Sequence, residues 1–216
     1  MVRLFFTKRD RAKYISHLDI TRCFARSLAR TTLPVWYTEG FNPRIYMSFP
    51  LPIPLGYQSS CESMEVKLNE DDFPLEEVTA QLNAVLPEGI RILRTALPVE
   101  KPDAIALADY CICMATPQPE VLQAAFTAFA AQESIAVVKK TKKGEKQLDL
   151  RPLFTVGGVE SSEGAVTLRL RLAAGITLNI SPALLLEAFS DYLGYPVEDV
   201  AVERLAILTA DGAVWH

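Results

Sequence analysis

Residues 14–56 read YISHLDITRCFARSLARTTLPVWYTEGFNPRIYMSFPLPIPLG. The stretch predicts a strand end, a helix over 17–31, a short strand over 34–38 and a long ordered loop. Ser16 stands at the N-cap position with Asp19 three residues on, where a carboxylate meets unsatisfied amides and the positive end of the helix dipole. On a helical wheel Ile20, Phe24, Ser27, Leu28 and Thr31 gather on one side, with Arg22, Ala25, Arg26 and Ala29 opposite and Arg30 at the margin. One face is therefore expected to pack on a sheet and the other to meet solvent.

Around this stretch, period-two and helical patterns continue. Strands are expected at 2–8, at a segment ending at Ser16, at 62–68 and at 90–96, with a second helix over 75–86. That order is βαββαβ. A proline-bearing connector at 98–108 separates it from a second series: strand 110–115, helix 120–132, strand 135–140, strands near 147–150, 154–160, 165–173 and 176–180, helix 182–193 and strand 200–209. The expected fold is α+β, two ferredoxin-like antiparallel sandwiches in tandem, with domains at 1–98 and 108–216. One continuous sheet across both halves is the alternative.

Half of the 216 residues are hydrophobic and 22% are charged, the balance of a globular protein. No run approaches the roughly 20 apolar residues of a membrane span, and the opening residues gain charge too quickly for a signal peptide. A cytoplasmic protein without membrane contact is expected. Cys23, Cys61, Cys111 and Cys113 are too sparse for a disulfide framework and lack zinc-site spacing, so free thiols and no metal are expected. On a strand, Cys111 and Cys113 share one face.

The net charge of −4 averages unlike segments. Residues 1–50 carry nine Lys or Arg against three acids, and residues 51–100 carry three against nine. A basic face is thus available for an anion despite the acidic total. Arg22, Arg26 and Arg30 recur every four residues as a ridge that suits several phosphates or simply solvent. His17 lies toward the core side of the helix start, where an imidazole is able to act as base or hydrogen-bond donor; a structural histidine is the plainer reading.

Glu39, Gly40, Phe41, Asn42, Pro43 and Arg44 form a turn-rich loop, in which Pro43 holds Asn42 extended. If the chain then runs extended, Arg44, Tyr46 and Ser48 share a face, a cationic, aromatic and hydroxyl row suited to nucleic acid or a phosphorylated ligand. Pro50, Pro52 and Pro54 stiffen the chain leading to Gly56. Lys139, Lys140, Lys142, Lys143 and Lys146 surround an expected hairpin tip, able to neutralise phosphates or to remain solvated. Asp149 and Arg151 would share a strand face. No phosphate-loop or dinucleotide fingerprint occurs.

The runs YISHLD (14–19), EGFNPR (39–44), Ser48-Phe49, Pro54-Leu55-Gly56, KKGEK (142–146) and DLRPL (149–153), with Arg22, Arg26, Leu33 and Pro34, resemble the radical-SAM-linked protein family. The likeness covers essentially the whole chain. It implies association with a radical SAM enzyme, either as a separate chain or as a module fused behind one, and no defined activity. The chain has no C-x-x-x-C-x-x-C run to hold the iron–sulfur cluster, so no cofactor of its own is expected. Three functions are compatible with these residues: a non-catalytic RNA-binding or substrate-presenting accessory module; an enzyme using His17, Glu39 and Arg44 on an anionic substrate; or a protein-interaction subunit without nucleic acid.

Overall fold

The computed structural model describes residues 1–141, 144–176 and 178–216, without the side chains of Lys139, Lys140, Thr141 and Lys146. The chain divides into two compact units, Met1–Pro102 with His216, and Asp103–Trp215. Both are mixed α and β with antiparallel strand pairing, as expected of the class.

The first unit runs β1 (Val2–Lys8), α1 (His17–Ala29), β2 (Met47–Ser48), β3 (Gln58–Val66), α2 (Leu75–Asn83) and β4 (Ile90–Ala96). Its strands lie in the order β4-β1-β3-β2. Alternation along β1 sends Val2, Leu4 and Phe6 to one side of the sheet. There they meet Ile20, Phe24 and Leu28 of α1, Val78 and Leu82 of α2, and Met64, Val66, Ile90 and Ile92 of the neighbouring strands, all buried. Both helices therefore cover the same face. Phe6, Phe24 and Phe49 pack edge-on at centroid distances of 4.9 to 6.4 Å.

Three local expectations change. The segment before Ser16 is a 3-10 helix (Asp10–Tyr14): the pairing of β1 runs to Lys8, and beyond it the Ala12 amide turns back to the Arg9 carbonyl at 2.9 Å. Among the described residues, 34–38 form no strand but the isolated bridges Val35 to Leu68 and Tyr37 to Ile45. Helix α1 stops at Ala29, where the Arg30 amide bonds the Ser27 carbonyl.

The second unit runs β5 (Ile105–Ala115), α3 (Pro119–Ala130), β6 (Ala136–Thr141), β7 (Gly144–Asp149), β8 (Phe154–Ser162), β9 (Ala165–Ala173), α4 (Pro182–Leu193) and β10 (Val200–Thr209). Its main sheet has the order β10-β5-β9-β8, while β6 and β7 form a separate two-stranded hairpin. Tyr110, Ile112 and Met114 of β5 alternate inward, as do Val166, Leu168, Leu170 and Leu172 of β9. Phe126 and Phe129 of α3 close on Phe189 of α4 at 5.1 and 5.3 Å. Cys111 and Cys113 sit half-buried on the other face, as free thiols like Cys23 and Cys61.

Among the described residues of 176–180 there is no strand; Ala174 and Asn179 form a single bridge. Asp149 and Arg151 share no strand face either. Strand β7 ends at Asp149, whose carboxylate accepts the Ile135 and Arg151 amides at 2.8 and 2.9 Å and starts the 3-10 helix Arg151–Leu153. Those two amides hold the Asp149 carboxyl below its ordinary range. Among the described residues no helix is long and apolar enough to cross a membrane.

Candidate functional site

Helix α1 presents the first cluster. The Ser16 hydroxyl accepts the Asp19 amide at 3.2 Å and donates to the Asp19 carboxylate at 2.7 Å. Asp19 in turn takes Arg22 at 3.2 Å. This capping fixes the helix start and turns the arginine ridge outward. Arg22, Arg26 and Arg30 are all exposed and line one groove of about 430 Å³ together with Asp19, Cys23, Ser27, Val85 and Pro87. Arg30 reaches the Val85 carbonyl at 3.5 Å. Among the described residues Arg26 has no ion-pair partner, and the groove carries three cations against one carboxylate. Burial raises the Cys23 thiol pKa, so this groove holds a protonated thiol and not a thiolate.

His17 is exposed at the first position of α1, not turned into the core; its ring stands edge-on to Phe49 at 5.1 Å. It borders a crevice of about 10 Å³ with Phe6, Ile20, Phe49, Pro52, Ile53, Lys8 and Glu62, room for about one water. Lys8 and Glu62 are buried charges that the sequence reading left out. Alternation could have found both: Lys8 follows Val2, Leu4 and Phe6 on one side of β1, and Glu62 precedes Met64 and Val66 on β3. The Lys8 ammonium donates to the Lys13 carbonyl at 3.3 Å.

Residues 34–48 form the second cluster, a hairpin whose tip is the predicted loop. The Thr38 amide bonds the Arg44 carbonyl at 2.8 Å, and the Arg44 amide bonds the Thr38 hydroxyl at 3.1 Å. Glu39, Gly40, Phe41, Asn42 and Pro43 form the tip and are all exposed, Phe41 completely. Gly40 has φ of +124°, a conformation side chains disfavour. At the hairpin base the Trp36 amide bonds the Lys67 carbonyl at 2.8 Å, the Lys67 amide the Tyr46 carbonyl at 3.2 Å, and the Tyr46 amide the Trp36 carbonyl at 3.1 Å. The Trp36 and Tyr46 rings meet edge-on at 5.8 Å, and the Lys67 ammonium lies 4.0 Å above the Trp36 ring.

Among the described residues, no hydrogen bond or ion pair joins His17 to Glu39 or Arg44, and the His17 crevice is lined by neither. Lys142 and Lys143, and the side chains of Lys139, Lys140 and Lys146, lie outside the described residues; the backbone of the hairpin pairs Lys139 with Lys146 and Lys140 with Glu145. Sequence reasoning singled out Arg44 and Tyr46 but missed Trp36 and Lys67. Only a register for 34–38 against residue 67 could have brought those two together.

No curated protein matches the chain. Residues 1–182, which carry the arginine groove, the His17 crevice and both hairpins, match the family described as an uncharacterized protein conserved in bacteria (DUF2344), and the chain belongs to that family.

Proposed function

We propose that this chain is a non-catalytic RNA-binding or substrate-presenting accessory module that works with a radical SAM enzyme in the cytoplasm. The observation that carries the reading is the α1 groove, where Arg22, Arg26 and Arg30 stand exposed along one wall. Guanidinium groups at that spacing match successive phosphates, and the groove's bordering side chains supply only one opposing carboxylate. The strand orders β4-β1-β3-β2 and β10-β5-β9-β8 support reading both units as ferredoxin-like, the finer form of the expected fold.

The test is RNA affinity across a salt series with Arg22→Ala/Arg26→Ala beside the parent protein. Affinity should fall as salt rises and fall further in the double variant. No binding at low salt, or affinity unchanged by the two substitutions, overturns the reading.

A protein partner has its own support. Tyr14, Leu18 and Leu55 are exposed apolar side chains, and the Gly56 amide bonded to the Lys13 carbonyl at 2.8 Å brings Leu55 beside Tyr14. Purification from native cells separates the two: an absorbance ratio and a gel show whether nucleic acid or a radical SAM protein accompanies the chain.

A further inference from the structure

We infer that the cluster of Trp36, Tyr46 and Lys67, extended by Arg44, is a stacking platform for the bases of single-stranded RNA. This rests on the RNA-binding reading and adds to it the class of RNA and a second surface, distinct from the arginine groove. The cluster is built, not incidental. Three backbone segments close a cycle of hydrogen bonds of 2.8, 3.2 and 3.1 Å through residues 36, 67 and 46, so the three side chains are held together without depending on one another.

Direction comes from alternation. Val35, Val66 and Leu68 are buried, and Ile45 and Met47 pack against the same core. Residues 36, 46 and 67 therefore project from the opposite side of the sheet, away from α1 and α2. Arg44, two residues before Tyr46 on the hairpin, lies on that side as well.

The chemistry matches an unpaired strand. Tyr46 is 45% exposed, its edge braced by Trp36, which leaves ring surface for a base. Lys67 holds its ammonium over the Trp36 ring, and Arg44, two residues before Tyr46, adds a second cation to this side, the charge that phosphates running between stacked bases call for. Phe41, fully exposed at the tip of the same hairpin, offers a further ring. Glu65, two residues before Lys67 on β3, is bonded by the Arg3 guanidinium at 3.1 Å, and Glu39 is exposed at the hairpin tip. A duplex hides its base faces and cannot use such a surface.

Tryptophan fluorescence tests this in the full chain, because Trp215 is 2% exposed and Trp36 is the only other tryptophan. The probes are oligouridylate of about 20 nucleotides, single-stranded or annealed to oligoadenylate of the same length. The single strand should bind and quench Trp36, and Tyr46→Ala should weaken it about tenfold, while Tyr46→Phe retains affinity. Arg22→Ala/Arg26→Ala should lower affinity yet leave the quench at saturation. Single-strand binding that Tyr46→Ala changes by less than about twofold, with Tyr46→Phe and circular dichroism confirming the fold, overturns the platform alone. So does duplex competing as well as single strand. Failure of both RNAs to bind at low salt overturns the RNA reading itself, and the platform with it.

Discussion

Ser16 accepts an amide and donates to a carboxylate within one turn, and Asp19 shows the consequence. Its pKa is lowered, first by the hydrogen bond from Ser16 and then by Arg22. Because the folded-state pKa is the lower one, the unfolded chain takes up the proton first as pH falls. The interaction thus stabilises the fold above the ordinary carboxylate pKa of 3.8 and is lost as pH drops through the folded value. Asp149 and Asp211 have the same sign. We expect Ser16→Ala to cost about 1 kcal/mol in urea unfolding and to move the Asp19 titration, followed by NMR, back toward 3.8. Arg3 is the heavier case. It is fully buried, bonded to the Glu65 carboxylate, the Glu100 carbonyl and the His216 carbonyl. Arg3→Met should cost about 3 to 5 kcal/mol by leaving the Glu65 charge poorly paired; a loss below about 1 kcal/mol would show that Glu65 is solvated in the folded state.

At the scale of elements, connections decide more than propensities. Gly89, just before β4, has φ of +85°, and a Cβ there would lie 2.6 Å from the Arg9 carbonyl and 2.9 Å from the Ala12 Cβ. Its own carbonyl accepts the Arg9 amide at 2.8 Å, which locks the 3-10 helix Asp10–Tyr14 to the start of β4. Gly89→Ala should destabilise the chain by about 2 kcal/mol or more, read as a shift in denaturation midpoint. The long helices and strands were legible because their hydrophobic periods are local: 165–173, 182–193 and 200–209 appear with those bounds. Residues 34–38 were not, because a two-bridge segment held by backbone bonds from residues 46 and 67 leaves no period behind. For the same reason the arginine ridge, a property of one helix, could be read from sequence, and the Trp36–Lys67 contact, a property of three segments, could not.

For the whole molecule, a net charge of −4 coexists with a basic stretch over residues 1–50, so the affinity for RNA that we propose should respond to salt as a local patch does. Removing Arg22 and Arg26 together should reduce the slope of log affinity against log salt by about 1.4. A slope unchanged while affinity falls would mean the arginines act on folding instead. The hairpin of β6 and β7 poses a different question. The Leu150 amide bonds the Ile135 carbonyl, so the alternation of antiparallel pairing turns the amides and carbonyls of Ala136 and Val138 away from β7. Among the described residues β6 pairs with β7 alone. An Ala-Val-Val strand with one open side is a template for self-association, and Lys139 and Lys140 come directly after it in the sequence. We expect their charge to act as a gatekeeper against chains stacking edge to edge: replacing both by valine should bring on concentration-dependent light scattering while the monomer's circular dichroism stays the same.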